Sequence, residues 1–482
     1  MTHFRRRDLR CRPAAGRPQA LALAVISSLA ALGGCASFSP DGGFAPIEQT
    51  ARDRLGKDLR WARSDADQDL IDQRVTELLA KPLALDDAVQ VALLNNRGLQ
   101  ARFQDLGLAE ADRVQAGRLP NPGFSVGRLT RGGEVELGLG LHFNLARLIA
   151  LPALGALQAR RFAQTQASVA MAVLALAADT RKAYFNAVAA EEGVRYLRQV
   201  RQAAEASAEL ARRMAQVGNF NALQRAREQL FSADAALALA RAELAQGATR
   251  EQLTRLLGLW GAQTQFTLPE RLPDLPEAVP DLPDIERVAL AQRLDVQGAR
   301  LAAEQTARQL GLTQATRWVN VLDLGLRNNR SNEQPTQRGW EIGFELPLFD
   351  GGGARLARAE ALYRQALDRA AETAINARSE VRQAYTGYRS AYDIARHHRD
   401  EIVPLRQRIA DENLQRYNGM LIGVFELLAD ARVQIASVNN AIEALRDFWL
   451  AQADLDMALI GKPSLALPAG PAMAAEPAGA NH

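Results

Sequence analysis

Few residues in this 482-residue chain combine a type and a spacing that chemistry needs. His397 and His398 are adjacent, and there are five histidines in all. Helix neighbours point about 100° apart, so these two do not converge on one metal ion and fit a solvated face instead. Gly351-Gly352-Gly353 is glycine-rich but lacks the Lys and the Ser or Thr of a phosphate-binding loop. No nucleophile, base and acid form a recognisable catalytic set. The chain therefore reads as a non-enzyme without a metal or soluble cofactor, and any energy its work requires comes from elsewhere.

One side chain is placed for a covalent reaction. Arg5, Arg6, Arg7, Arg10, Arg12 and Arg17 precede an apolar run from Ala20 to Leu32 that is too short to span a bilayer, and the run ends in Leu32-Gly33-Gly34-Cys35. A basic segment, an apolar segment and small residues at the cut make residues 1–34 a secretion signal. The adjacent arginines also fit a twin-arginine signal, but nothing else supports that reading. Leu32 to Cys35 resembles a bacterial lipobox, in which the thiol is lipidated and becomes the first residue of the mature chain. Cys35 is then a lipid anchor, and Ala36 after it fits an outer-membrane address. Cys11 leaves with the signal, so the mature chain holds no disulfide framework.

The overall basic balance belongs to that signal. Residues 1–34 contain six Arg and one Asp, so 58 basic against 55 acidic residues become 52 against 54 once they are removed. No basic stripe remains to suggest nucleic acid. Lys occurs only at 57, 81, 182 and 462.

The remaining chain is written twice. Leu85-Asp86-Asp87-Ala88 opens a helical pattern through Asn95-Asn96-Arg97-Gly98-Leu99-Gln100, and Pro283-Asp284-Ile285-Glu286 opens another through Gln292-Arg293-Leu294-Asp295-Val296-Gln297 at an offset of 197. Lys182-Ala183-Tyr184 matches Gln383-Ala384-Tyr385, and Val217-Gly218-Asn219 matches Asn418-Gly419-Met420, both at 201. The expected boundaries are an anchored segment at 35–82, a first repeat at 83–262, a proline-rich linker at 263–282, a second repeat at 283–462 and a loose tail at 463–482. Pro269, Pro273, Pro276, Pro280 and Pro283 make the linker an extended strap.

Each repeat predicts helix, strand hairpin, very long helix, glycine turn, helix. The long helices are expected from Pro152 to Val217 and from Gly352 to Tyr417, with Pro404 kinking the second. About 66 residues at 1.5 Å each make a rod of roughly 100 Å, too long for an ordinary globular core. A plain coiled-coil scaffold would share such rods, but not the hairpins, which are expected at Phe124–Leu129 with Val135–Asn144 and at Val319–Arg327 with Trp340–Leu348. Val135, Leu137, Leu139, Leu141 and Phe143 alternate with Glu136, Gly138, Gly140, His142 and Asn144. An unbroken apolar face backed by glycines and charges over about ten residues is the pattern of a transmembrane barrel strand. Trp318 and Trp340 are expected near strand ends, where interfacial aromatics belong. Four strands do not close a barrel, and an open edge in lipid costs several kcal/mol for each unpaired backbone group, so the chain must oligomerise. Three copies supply about twelve strands.

From Leu83 to Gly461 the chain resembles the TolC-like family of outer-membrane efflux channels, in its lipoprotein branch. The matching residues are Leu85-Asp86-Asp87-Ala88, Asn96-Arg97-Gly98-Leu99-Gln100, the strand exit Leu346-Pro347-Leu348-Phe349-Asp350-Gly351-Gly352, and the turn Tyr417-Asn418-Gly419. The first copy departs at its strand exit, where Asn144 to Pro152 replaces the Pro-Leu-Phe-Asp pattern. The resemblance implies a mainly α fold with a transmembrane β-barrel portion. It implies a homotrimer with a 12-strand barrel in the outer-membrane lipid of a Gram-negative bacterium and a periplasmic α-helical barrel, docked on an adaptor protein and an inner-membrane pump. The function implied is a passive exit duct of a tripartite efflux or secretion system, and the cargo is not specified. The competing class is a lipid-anchored periplasmic structural or adaptor protein, which would carry one helical hairpin and soluble sheet modules.

The resemblance also implies particular sites. The turns Val217-Gly218-Asn219 and Asn418-Gly419-Met420 would meet the adaptor. A pore constriction would follow the second turn, where Glu426 falls at the family's first acidic position. The position one turn later is Ala429, and Asp430 stands in as the second acid. Glu426 and Asp430 are spaced i to i+4 and share a helix face. An ordinary solvated acidic face fits the same spacing.

Overall fold

The computed structural model describes residues 37–316, 321–345 and 348–464. The order of elements is α1 Ala45–Leu55, α2 Asp65–Leu79, α3 Leu85–Asn95, α4 Arg97–Ala116, β1 Gly123–Arg131, β2 Glu134–Asn144, α5 Leu145–Gln216 and α6 Ala222–Leu257. A short 3-10 turn at Gly261–Thr264 leads into an irregular strap. After it come α7 Ile285–Gln292, α8 Leu294–Ala315, β3 Leu322–Ser331, β4 Gln337–Phe344, α9 Gly353–His397, a π-helical segment His398–Ile402, α10 Val403–Asn418 and α11 Val424–Ile460. The protein is mainly helical with one small antiparallel sheet. It comprises two compact units, one around the sheet (described residues 37–39, 111–158 and 321–345) and one formed by the rest of the described chain, which is helical for most of its length.

In the sheet unit the strands lie in sequence order, β1-β2-β3-β4, each antiparallel to the next. Gly132 and Gly133 alone join β1 to β2, and Gly132 has φ +61°, a conformation that two-residue hairpin turns require and a side chain resists. The longer second turn folds back on the first. Asn332 accepts from the Val135 amide at 2.7 Å and donates to the Gly133 carbonyl at 3.0 Å. The second hairpin differs from its expected limits. β3 continues past Arg327 to Ser331, and β4 begins at Gln337 and ends at Phe344 rather than Leu348. Asn328 and Asn329 have side chains that disfavour strands, but pairing of Asn328, Asn329 and Arg330 with Leu139, Gly138 and Leu137 decides the matter. Trp340 consequently lies in mid-strand opposite Leu326, not at a strand end, and Trp318 lies outside the described residues.

Helix α5 begins seven positions before the expected Pro152. The Asn144 side chain accepts from the Arg147 amide at 2.7 Å and starts the helix directly at the strand end. Pro152 then withholds one N–H from the Leu148 carbonyl without ending the helix. Near Pro404 the chain widens to a π-helical turn at His398–Ile402. A proline ring collides with the carbonyl four residues back, and the wider turn is the local relief for that collision.

The helical unit has its own cores. Helix α3 is buried almost all round. It packs with Tyr184, Phe185 and Val188 of α5, Leu253 and Leu257 of α6, and Phe266, Leu268 and Leu272 from the start of the strap. Ile47, Trp61, Phe103, Leu106, Val169 and Val173 make a second core. The strap then passes to a third, where Leu275 joins Val381, Tyr388 and Tyr392 of α9 and Phe448 of α11. Tyr392 donates to the Glu277 carbonyl at 2.6 Å and Trp449 to the Pro273 carbonyl at 3.0 Å, so strap carbonyls that regular structure leaves unpaired are satisfied.

The residues that end α3 and α7 do comparable work. Asn95 donates to the carbonyls of Leu257 and Gly258, and Asn96 to that of Leu256, which satisfies the orphan C-terminal carbonyls of α6. Gly258 has φ +68°, and a Cβ there would lie 2.7 Å from the Asn95 carbonyl oxygen. Arg293 reaches the Ala458 carbonyl near the end of α11 at 3.3 Å. Burial opposes the charge of Arg293, yet hydrogen bonds to Asp295 and Glu380 hold its pKa above the ordinary value.

Candidate functional site

The chemistry of the sheet is divided between its faces. Cross-strand partners project to the same side. The register therefore puts Phe124, Val126, Leu139, Leu141, Phe143, Leu322, Leu324, Leu326, Trp340, Ile342 and Phe344 on one face. The other face carries Ser125, Glu136, Gly138, Gly140, His142, Asp323, Arg327, Asn329 and Glu341. On the apolar face Phe124 is 69% exposed, Trp340 72% and Phe344 64%. An apolar area of this kind on a single chain marks a surface made for lipid or for protein.

The polar face is a connected network. Arg327 meets Glu341 at 2.7 Å, Glu341 lies 3.8 Å from His142, and His142 is 3.1 Å from the Ser125 hydroxyl. Gly127, Gly138 and Gly140 leave a recess of about 300 Å³ there, bordered by Glu136, Arg327 and Asn329. A wet wall of mixed charge backed by a greasy one is what a lumen-facing strand needs.

In the helical unit, Glu426 occupies the first turn of α11, where the helix dipole favours an anion. Its side chain is exposed and has no partner among the described residues. Asp430 is half-buried, and its Oδ2 accepts from Asn413 of α10. The spacing that puts the two acids on one face is present, but α10 already engages one of them. Asn413 was not visible as a site residue in the sequence.

The two turns differ in how they reverse the chain. After α5, Gly218 takes φ +81°, the Asn219 amide donates to the Met214 carbonyl at 2.8 Å, and Asn221 with Gln224 forms a capping box that starts α6. After α10, Asn418 is the last helical residue, Gly419 has an ordinary φ of −78°, and the left-handed residue is Met420 at φ +58°. Val217 is 72% exposed and Met420 93%.

Cys35 lies outside the described residues. Among the described residues, no group of three or more His, Cys, Asp or Glu could hold a metal ion, and no helix is long and apolar enough to cross a membrane. His397 pairs with Glu401 at 3.2 Å, whereas the His398 ring is partly buried beside it. Burial, then the neighbouring His397, lowers the His398 pKa.

No protein-family model matches the sequence, and no curated protein matches it. Solved structures do match. The CmeC outer membrane channel of Campylobacter jejuni has a TM-score of 0.67 at 18% identity, over 86% of this chain and 91% of that one. The open state of the MtrE outer membrane channel of Neisseria gonorrhoeae has a TM-score of 0.64 at 19% identity, over 78% of this chain and 89% of that one. CusC, described for its transmembrane channel formation, has a TM-score of 0.65 at 18% identity, over 78% of this chain and 92% of that one. Helix hairpins, a four-stranded sheet of two faces and near-complete coverage of these structures agree with one another, and the chain has the fold of the TolC-like outer-membrane channels.

Proposed function

We propose that this chain is the outer-membrane exit duct of a tripartite efflux or secretion system, conducting cargo passively to the exterior. The observation that carries the proposal is the sheet, whose four strands separate an exposed apolar face from a charged one and leave the edges of β1 and β4 unpaired. In lipid those edges need partners, and three copies would close a barrel of about twelve strands with the charged face inward. The likeness to solved outer membrane channels supports the same arrangement.

In this reading the two series of elements, within 83–262 and 283–462, are repeats whose long helices form a tunnel in the periplasm. Cys35 carries the lipid anchor. Glu426, with Asp430 behind it, narrows the tunnel, and the turns at Val217–Asn219 and Asn418–Met420 meet an adaptor attached to an inner-membrane pump. Purified full-length protein is tested in two ways. Native mass spectrometry in mild detergent should give three protomers, each beginning at a lipidated Cys35, and planar bilayers should record discrete ion-conducting steps. A monomer, or a trimer that does not conduct, refutes the duct.

A further inference from the structure

The apolar face of the sheet changes character toward the hairpin turns. There it carries Arg128 on β1, Arg330 on β3 and Arg338 on β4, all exposed. The register fixes their spacing. Arg128 and Arg330 flank Leu137 on either side, while Arg338 pairs with Asn328, two positions along β3 from Arg330. Backbones two strands apart are separated by about 10 Å, and diagonal neighbours on adjacent strands by about 7–8 Å, so the three arginines form one row across the sheet. All the strand carboxylates, Glu134, Glu136, Asp323 and Glu341, are on the opposite face. None of the three arginines has a hydrogen-bond or ion-pair partner among the described residues.

A row of like charges beside a lipid-like band, with no acid on its own face, lacks the counter-charge that would stabilise it. We infer that the row is a docking site for a phosphorylated glycolipid of the outer leaflet. The inference rests on the outer-membrane placement proposed above. Acyl chains would lie on Phe124, Leu141, Leu326 and Trp340, and the phosphates would reach the three guanidiniums. Arginine suits this position for two reasons. Its planar fork binds phosphate oxygens in pairs, and its long stem lies along apolar surface while the charge stays at the polar boundary. A cation is costly at the bilayer midplane and tolerated near the interface, which agrees with its place close to the turns. A soluble polyanion would satisfy the charge and leave the apolar band uncovered.

The test uses the full chain as it assembles in detergent, titrated with diphosphoryl lipid A, with its dephosphorylated form and with inorganic phosphate, and read by native mass spectrometry. Wild-type protein should retain diphosphoryl lipid A. The variant Arg128→Gln/Arg330→Gln/Arg338→Gln should bind it on the order of 100-fold more weakly, since each basic residue at an anionic surface contributes a comparable increment. Replacing the same three residues by Lys, which keeps the charge but loses the paired contact, should give binding between the wild type and the triple Gln variant, and Arg131→Gln, on the opposite face, should leave it unchanged. The inference is overturned if the triple Gln variant binds like the wild type, if dephosphorylated lipid binds equally well, or if inorganic phosphate displaces the lipid. Conductance of the same preparations is read separately. A wild-type chain that never conducts refutes the duct, and the three variants still decide the lipid site.

Discussion

Glu228 on α6 and Arg432 on α11, 204 positions apart in the chain, form an ion pair in which the carboxylate is fully buried. Ser207 on α5 donates to the same carboxylate at 2.6 Å, and the Arg432 guanidinium lies 4.5 Å from the Phe231 ring centroid. Three helices therefore share one charge. Removing the arginine alone strands a buried carboxylate, so Arg432→Met should lower stability by about 3–5 kcal/mol. The double variant Glu228→Leu/Arg432→Met should recover most of that loss, because the burial cost disappears with the charge. Thermal unfolding of the detergent-solubilised protein measures both, and an additive double variant would contradict the coupling.

The two turns predict opposite responses to glycine. Met420 occupies the left-handed region, where a side chain costs about 1–2 kcal/mol. Part of that is returned by the freer unfolded chain, and Met420→Gly should stabilise by about 0.5 kcal/mol net. Gly218→Ala meets no atom within 4 Å but must adopt φ +81°, so it should destabilise by about 1 kcal/mol through the backbone alone. Unfolding midpoints at a fixed scan rate give the two signs.

Glu426 and Asp430 should contribute unequally to ion selection. In planar bilayers Glu426→Gln alone should account for most of the loss of cation preference and of block by trivalent cations, because Glu426 is exposed while Asp430 is tied to Asn413. Adding Asp430→Asn should change little further. Selectivity unchanged in the double variant would remove these acids from the conducting path.

His398 makes the π-helical segment sensitive to acid. Its pKa is below the ordinary 6.5 because its ring is partly buried, and because His397 adds like charge. The folded state then binds fewer protons than the unfolded chain just below pH 6.5, so stability from this group is present above that value and falls as pH drops through the window. His398→Gln should flatten this dependence. Amide exchange at residues 398–402, followed between about pH 7 and pH 5, is the measurement, and identical exchange profiles in variant and wild type would count against it.

Much of the fold is legible in the sequence, and the parts that are not have physical causes. Val135 to Phe143 alternate because one side is apolar, and the register puts them on one face as that pattern requires. The second hairpin differs at both ends from the limits the sequence predicts. Asn328 and Asn329 read as loop, and pairing with β2 overrides that local preference. The sequence therefore leaves Arg330 and Arg338 outside the sheet, since it predicts one strand ending at Arg327 and another beginning at Trp340. The Glu228 and Arg432 pair was not readable at all, because neither residue has a local pattern and only packing brings them together. Pro404 announced a disturbance in its helix, and the disturbance took the form of a π-helical turn.

The free edges of the sheet impose a grammar on assembly. β1 and β4 are unlike edges, so a sheet that continues with the same alternation joins β4 of one copy to β1 of another, head to tail. Such a contact is identical at every step. Nothing in it distinguishes the last copy from the first, and the choice between a finite ring and an unlimited ribbon falls to curvature rather than to affinity. The glycines that leave the recess on the polar face, at 127, 138 and 140, are where that curvature can be held. A bulky side chain at Gly127, where a Cβ meets no atom within 4 Å, would act on that curvature, and so on the number of copies in the proposed ring, before it acted on the stability of any one copy.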